Sequence, residues 1–168
     1  MRKGADKFSC AVITMSDKGA VGEREDTSGA ALQQILKDEG YSLDEYMIIP
    51  DVESRIVETL VDLVDNRSID LIVTTGGTGV SPTDITPEAM RKVIDKEIPG
   101  MAEAMRAVSF AKTPNAVISR GICGIRKESL IVNLPGSKKA AIENIEVVLP
   151  AIPHALQKMK GEKSDCGG

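Results

Sequence analysis

Three predicted strands separated by helical patterns restrict the fold of this chain more than any other sequence feature. Residues 8–16 form a continuous apolar run rich in β-branched residues, as expected for a strand buried on both faces, and 43–49 and 69–75 are two further predicted strands. Parallel strands need crossover connections of a dozen or more residues, and the intervening segments are long enough to supply them as helices. The alternation therefore predicts an α/β fold: one three-layer domain with a mostly parallel sheet flanked by helices.

The two connecting segments carry helix signals. Asp26 or Thr27 can cap a helix that ends near Gly40, because both residue types accept hydrogen bonds from a first helical turn. Residues 54–66 place their apolar side chains at helical spacing. Both segments are therefore predicted to be helices.

The alternation continues after the third strand. Thr86 can cap a helix with Pro87 at its first position, and that helix is predicted to end near Lys96. Residues 1–161 form the predicted domain, and the tail 162–168 is predicted to be disordered. The remaining predicted elements are helices over 97–112, 137–148 and 150–160 and strands over 115–119 and 129–133.

Polar clusters follow all five predicted strands. Ligands of open α/β sheets bind outside the carboxyl ends of the strands. One polar turn is ordinary, but five at strand ends predict a ligand site along one edge of the sheet. The clusters are Ser16-Asp17, Pro50-Asp51, Gly76-Gly77-Thr78-Gly79, Ser119-Arg120 and 133–139.

The glycine loop at 76–79 does not match the familiar nucleotide-binding motifs. A P-loop ends in Gly-Lys-Ser/Thr, whereas this loop continues as VSPTD over 80–84. The dinucleotide fingerprint needs a third glycine, and Pro82 occupies that position. What remains is a turn of backbone N–H groups that can hold an anion.

Two carboxylates accompany this predicted anion site. Asp84 follows the glycine loop, and Asp51 follows the second strand. A carboxylate beside phosphate would repel it unless a divalent cation lies between them, and Mg²⁺ prefers one or two carboxylates with phosphate oxygens. The pair therefore predicts a magnesium site, while an ordinary helix-capping role for either residue stays open. Lys138 and Lys139 add positive charge at a predicted helix start, as a phosphate contact or as ordinary exposed lysines.

Composition excludes several classes of protein. A net charge of −4 and only two Tyr and two Phe do not suit a nucleic-acid groove, which needs basic residues and stacking platforms. No apolar run approaches the ~20 residues of a membrane span, and the N-terminus lacks the pattern of a signal peptide. Cys10, Cys123 and Cys166 are odd in number and widely spaced, which favours a reduced, cytoplasmic setting.

A set of ordered motifs gives the chain a family resemblance. The motifs are Ser16-Asp17 with Gly22, Asp26, Ser28 and Gly29, IPD at 49–51, TTGGTG at 74–79, DITPEA at 84–89, PGM at 99–101, SR at 119–120, GIR at 124–126 and NLPGSKKA at 133–140. With them, the chain resembles the molybdopterin adenylyltransferases, the MogA group that includes the gephyrin G domain, within the MoaB/MogA superfamily. The resemblance extends from about Ser9 to Gly161. The family commonly has arginine where this chain has Thr83, which removes one possible anion contact.

The resemblance implies that AMP passes from ATP to the terminal phosphate of molybdopterin in the presence of Mg²⁺, with release of pyrophosphate. It implies catalytic and metal-binding roles for Asp51 and Asp84. The implied nucleotide and phosphate contacts are Ser16, Asp17, Asp26, Gly76, Gly77, Thr78 and Gly79. The implied molybdopterin contacts are Ser119, Arg120, Asn133, Pro135, Gly136, Ser137, Lys138 and Lys139.

Two alternatives stay open: a non-catalytic molybdopterin carrier or scaffold, and a paralogue of the MoaB type. The TPEA sequence at 86–89 favours the catalytic branch. A hydrolase is not expected, because the only histidine, His154, lies far along the chain from the polar clusters. The resemblance further implies a homo-oligomer, a trimer or a hexamer, with a possible interface at Met101–Met105, and a downstream MoeA-like molybdenum insertase as partner.

Overall fold

Six strands form one mixed sheet in the computed structural model, which describes residues 8–161. The strands are β1 (Ser9–Met15), β2 (Ser42–Ile49), β3 (Leu71–Thr75), β4 (Lys96–Glu97), β5 (Cys123–Arg126) and β6 (Ser129–Leu134). Their order is β2-β1-β3-β6-β5-β4, and the first four are mutually parallel. β5 runs antiparallel to β6, and β4 runs antiparallel to β5 at the edge of the sheet. The prediction of a mostly parallel α/β sheet is confirmed.

Helices cover both faces of the sheet. They are α1 (Asp17–Ala20), α2 (Thr27–Asp38), α3 (Glu53–Asp65), α4 (Thr86–Val93), α5 (Pro99–Phe110), α6 (Lys138–Val148) and α7 (Ile152–Met159), with a 3₁₀ helix at Pro114–Ile118. Successive side chains of a strand point to opposite faces, so Val12 packs with the α2, α5, α6 and α7 layer and Ile13 with the α3 and α4 layer. The three predicted layers are therefore present.

The strand predicted at 115–119 is wrong. This segment forms the 3₁₀ helix, with Pro114 in its first turn and the Thr113 hydroxyl accepting from the Asn115 N–H. The apolar side chains of Val117 and Ile118 are exposed, so no sheet covers them. β5, which was not predicted, pairs with β6 instead.

The start and end of α4 also differ from prediction. Ile85 precedes the helix, and no side chain caps it. The hydroxyl of Thr86 is buried and donates to the Gly76 carbonyl oxygen at 3.0 Å, which removes it from the capping position. The helix ends at Val93, before Lys96 enters the short strand β4. At α2, by contrast, the prediction of Asp26 as the cap is confirmed.

Several other predictions concern buried or undescribed parts of the chain. Met101 and Met105 pack in the hydrophobic core, so the interface predicted at Met101–Met105 is wrong for these two side chains. Cys10 and Cys123 are buried as well. The predicted disordered tail, 162–168, and Cys166 within it lie outside the described residues. None of the helices described between residues 8 and 161 is long and apolar enough to cross a membrane.

Candidate functional site: a bipartite cleft at the carboxyl edge of the sheet

Two cavities adjoin where the parallel strands end. The acidic cavity measures about 610 Å³ and the asparagine cavity about 400 Å³. Gly77, Asp84 and Gly136 line both of them. The acidic cavity is also lined by Ser16, Arg24, Glu25, Asp26, Asp51, Gly76, Ser137 and Lys138. The asparagine cavity is also lined by Thr78, Gly79, Arg106, Ser109, Asn115, Ser119, Asn133, Pro135, Glu143 and Asn144.

The glycine loop forms the wall between the cavities. Gly76 has φ +103°, and a Cβ atom there would lie 2.4 Å from the Met15 carbonyl oxygen. Gly77 has φ +66°, and a Cβ atom there would lie 2.3 Å from the Thr86 hydroxyl oxygen. At both positions the left-handed backbone conformation and the lack of room for a Cβ atom therefore require glycine. The Gly76 N–H donates to the Leu134 carbonyl oxygen, which fixes the loop against the end of β6.

Asp17 and Asp51 link the ends of β1 and β2. The Asp51 N–H donates to Asp17 Oδ1 at 2.9 Å, and the Asp17 N–H donates to Asp51 Oδ2 at 3.3 Å. Burial first, and then the charges of Asp17 and Asp84, raise the pKa of Asp51, although the hydrogen bond from the Asp17 backbone lowers it. No side chain caps α3, so the helix-capping alternative for Asp51 is wrong. Asp17 itself lines neither cavity.

Asp84 stands at the junction of the two cavities. Its Oδ2 atom accepts from the Ser81 N–H at 2.9 Å, and its own N–H donates to the Ser81 carbonyl oxygen. The same oxygen lies 2.8 Å from the position that a Cβ atom on Gly79 would occupy. Asp84 therefore closes the turn after the glycine loop and does not cap α4. Asp51 and Asp84 both line the acidic cavity, and the charge of Asp84 contributes to the raised pKa of Asp51.

Ser16 and Asp26 reach the acidic cavity while serving as helix caps. The Ser16 hydroxyl accepts from the Gly19 N–H at 3.0 Å. Asp26 accepts from the Gly29 N–H at 2.8 Å, the Thr14 hydroxyl at 2.5 Å and the Tyr46 hydroxyl at 2.6 Å. Three donors already occupy its carboxylate, so Asp26 shapes the wall of the cavity.

The segment after β6 contributes to both cavities. Asn133 is buried; its amide N–H donates to the Thr74 hydroxyl at 2.9 Å, and its Oδ1 accepts from the Ile122 N–H at 3.5 Å. The carbonyl oxygen of Pro135 accepts from the Thr75 hydroxyl at 2.7 Å. These bonds fix the floor of the asparagine cavity.

Further along this segment, α6 begins at the acidic cavity. The Gly136 carbonyl oxygen accepts from the Ser28 hydroxyl at 2.8 Å. Ser137 caps α6 by accepting from the Ala140 N–H. Lys138 lines the acidic cavity, whereas Lys139, which is also exposed, lines neither cavity.

Ser119 and Arg120 approach the loop although no strand precedes them. Ser119 lines the asparagine cavity, but Arg120 lines neither. The Arg120 guanidinium instead donates to the carbonyl oxygens of Gly79 and Asp84, each at 2.7 Å, and forms an ion pair with Glu88 at 2.5 Å. Its hydrogen bond to Glu88 holds the pKa of that carboxyl below its usual range.

Sequence reasoning missed several lining residues, which the two cavities bring close to the predicted ones. Arg24 and Glu25 line the acidic cavity. Neither residue follows a predicted strand, so no sequence pattern indicated them. Arg106 and Ser109 line the asparagine cavity from α5. Their spacing of three residues places them on one helix face, a signal that could have identified them.

Asp51 and Asp84 supply a donor set that fits Mg²⁺. Within residues 8–161, no group of three or more His, Cys, Asp or Glu side chains is arranged to hold a metal ion by itself. Mg²⁺ typically uses one or two protein carboxylates with substrate phosphates, and two interacting carboxylates beside the loop meet that need. Nucleophilic chemistry has less support, because burial raises the pKa of the Cys123 thiol to about 12 and His154 lines neither cavity.

The fold and the cleft define a class: an α/β protein whose bipartite ligand site lies at the carboxyl edge of a parallel sheet. A family model described as "Probable molybdopterin binding domain" matches residues 11–154, and the chain belongs to this family.

Individual relatives agree with this assignment. The chain is 43% identical over 154 residues to a molybdopterin adenylyltransferase of Helicobacter pylori J99, across 89% of this chain and 86% of the relative. The crystal structure of the molybdopterin biosynthesis enzyme MoaB from Thermus thermophilus is 46% identical, with a TM-score of 0.87 over 92% of this chain and 98% of that one. The Mog protein from Mycobacterium ulcerans is 37% identical, also with a TM-score of 0.87, over 94% of this chain and 100% of that one. Relatives of both the MogA and the MoaB branches therefore share this fold.

Proposed function

We propose that the protein is a molybdopterin adenylyltransferase, which transfers AMP from ATP to the terminal phosphate of molybdopterin and releases pyrophosphate. The observation that carries this proposal is the position of Asp84, which lines both cavities of the cleft. Two substrates bound in the two cavities would meet beside this carboxylate. Relatives that are named molybdopterin adenylyltransferase support the same activity.

The reaction needs no protein nucleophile. An oxygen of the molybdopterin phosphate attacks the α-phosphorus of ATP, and the bond from that phosphorus to the bridging oxygen of the β-phosphate breaks. The electron pair leaves with pyrophosphate, and a phosphoanhydride forms. A phosphate monoester has a second pKa near 6, so it is largely deprotonated at neutral pH and needs no general base. Catalysis then consists of positioning and charge neutralisation.

Each cavity suits one substrate. The acidic cavity would receive ATP, with the backbone N–H group of Gly77 and the ammonium of Lys138 near its phosphates. The asparagine cavity would receive molybdopterin between Ser119, Asn133 and the α5 side chains. Hydrogen-bonding side chains of this kind suit a pterin, whose ring edge carries both donors and acceptors.

Asp51 and Asp84 would hold Mg²⁺ in this arrangement. The ion would neutralise phosphate charge and so allow the two carboxylates to face ATP. The chain itself contributes the orientation of both carboxylates, Asp51 through Asp17 and Asp84 through Ser81.

The alternative of a non-catalytic carrier or scaffold predicts molybdopterin binding without turnover. The test is to incubate the purified protein with molybdopterin, ATP and MgCl₂ and to measure adenylylated molybdopterin and pyrophosphate. We expect both products in equal amounts. Bound molybdopterin with neither product would establish the carrier alternative.

We also propose that the protein is cytoplasmic and forms a homo-oligomer. The family resemblance implies a trimer, or a hexamer as in the MoaB branch. The product would pass to a MoeA-like molybdenum insertase. Exposed apolar side chains at the end of α5 and in the 3₁₀ helix, including Phe110 and Val117, support self-association. Light scattering on the purified protein measures the number of subunits, and a monomer would contradict this proposal.

A further inference from the structure

The guanidinium of Arg120 holds both ends of the turn that carries Asp84. Its Nε donates to the Gly79 carbonyl oxygen, where the turn begins, and its Nη2 donates to the Asp84 carbonyl oxygen, where the turn ends. Its Nη1 and Nη2 also contact the two carboxylate oxygens of Glu88, at 2.5 and 3.4 Å. One planar side chain therefore connects the glycine loop, the Asp84 turn and α4.

The turn has few other attachments. All four residues from 80 to 83 are exposed, so side-chain packing does not fix them. The hydrogen bonds between Ser81 and Asp84 close the turn internally, but they do not attach it to the rest of the protein. The contacts made by Arg120 connect the turn to α4 and to the loop.

Arg120 is also fixed on the side of the asparagine cavity. Its N–H donates to the Thr78 carbonyl oxygen at 2.8 Å, and its neighbours Ser119 and Gly121 line that cavity. The Arg106 side chain donates to the Gly121 carbonyl oxygen at 3.0 Å. Arg120 thus lies beside the asparagine cavity without lining either cavity.

We propose that Arg120 is a positioning residue that holds the Asp84 carboxylate where it faces the metal ion and both substrates. This inference rests on the proposed function and deepens it. A planar fork of donors is required, because the acceptors lie in three separate elements. Lysine would keep the charge but could not reach all of them in one geometry.

Arg126 provides a matched control at the opposite end of the sheet. It donates to one backbone carbonyl oxygen, that of Val93, and forms a two-point pair with Asp65 at 3.0 and 2.7 Å. It pairs in register with Ser129, the first residue of β6, and is therefore remote from the cleft. Replacement of Arg126 should therefore show how much stability the fold loses when an arginine with a similar set of hydrogen bonds is removed far from the cleft.

The experiment measures ATP affinity by calorimetry, with MgCl₂ and with EDTA, for wild type, Arg120→Lys, Arg120→Met and Arg126→Met. We expect both Arg120 variants to weaken MgATP binding about tenfold or more, because the turn that carries Asp84 loses charge-assisted hydrogen bonds that hold it in place. Their affinity for ATP in EDTA should stay within about twofold of wild type, because in EDTA no metal ion depends on Asp84. Arg126→Met should retain wild-type MgATP affinity.

Turnover gives an independent measurement. The kcat of Arg120→Lys should fall about 10²-fold, with a smaller change in the KM for molybdopterin, because misplacing a reacting group by about 1 Å costs that much. Equal weakening in MgCl₂ and EDTA would overturn the proposal, and so would an Arg120→Lys variant that matches wild type. If wild type forms no product but the Mg²⁺-specific loss persists, the adenylyltransferase function fails while the positioning role of Arg120 stands.

Discussion

Asp17 and Asp51 exchange hydrogen bonds, each backbone N–H donating to the carboxylate of the other residue. This exchange attaches the ends of two neighbouring parallel strands and brings a second negative charge close to Asp51. The site therefore holds a carboxylate in surroundings that disfavour its charged form. A bound cation would remove that cost, as Mg²⁺ would in the proposed function.

Replacement of Asp51 should separate stability from function. Because the folded-state pKa of Asp51 lies above its ordinary value of 3.8, the folded protein binds this proton more tightly than the unfolded chain does. Ionised Asp51 therefore destabilises the fold at neutral pH, and the cost disappears as the pH falls through the raised pKa toward 3.8. We expect Asp51→Asn to unfold at a higher temperature than wild type at pH 7 in EDTA, and to be inactive.

Calorimetric unfolding from pH 7 down to pH 4 tests this expectation. The difference in unfolding temperature should narrow as the pH falls. Asp84→Asn, measured alongside, shows whether removing any negative charge from the cleft raises the unfolding temperature. A variant that is less stable than wild type at pH 7 would contradict the direction argued here.

The glycine loop should tolerate no side chain at Gly77. Alanine there would combine a left-handed backbone with a Cβ atom 2.3 Å from the Thr86 hydroxyl oxygen. Gly40, at φ +92° with no atom within 4 Å of its Cβ position, isolates the backbone component. We expect Gly40→Ala to cost about 1–2 kcal/mol of unfolding free energy and Gly77→Ala to cost more. Urea denaturation measures both, and equal losses would mean that the loop adjusts around the new methyl group.

Acid stability should depend in part on Asp65, far from the cleft. Hydrogen bonds from Arg126 and Lys127 lower the pKa of Asp65 from 3.8 to about 2. A depressed folded-state pKa contributes stability that is present above 3.8 and is lost as the pH falls through about 2. Asp65→Asn should therefore be less stable than wild type at pH 7, and the difference should shrink as the pH falls from 3.8 through about 2. Unfolding curves across this range check the prediction, and a difference that does not shrink would exclude the ion pair as its cause.

Local sequence signals predicted the parallel half of the fold. β1 is a continuous apolar run, and Asp26 has the residue type and the position of a helix cap, so both signals depend only on neighbours in sequence. Thr86 shows the limit of this reasoning. Its hydroxyl has a closer partner in the Gly76 carbonyl oxygen, a contact that exists only after the loop has folded back.

Predictions failed where a distant partner decides the structure. The segment 115–119 is rich in apolar residues, but the proline before it begins a 3₁₀ helix and the sheet edge is taken by β5. β5 is only four residues long and contains Gly124, so its sequence pattern is weak. The molybdopterin contact that the family resemblance implies for Arg120 stays a prediction. The hydrogen-bond partners of its side chain, at Gly79, Asp84 and Glu88, are 32 to 41 residues away in sequence, so no local signal indicates them.

Loss of charge at Asp84 should separate catalysis from binding. Asp84→Asn keeps an oxygen that can accept from the Ser81 N–H, so the turn and the fold should persist. Molybdopterin should still bind, because Ser119, Asn133 and the α5 side chains are unchanged. Adenylyl transfer should fall on the order of 10²–10³-fold, because the variant no longer stabilises the charge that develops as pyrophosphate leaves. The paired measurement is molybdopterin affinity and the rate of product formation for wild type and variant. Transfer at the wild-type rate would show that Asp84 does not hold the metal ion, and a parallel loss of molybdopterin affinity would show that the two halves of the cleft do not act separately.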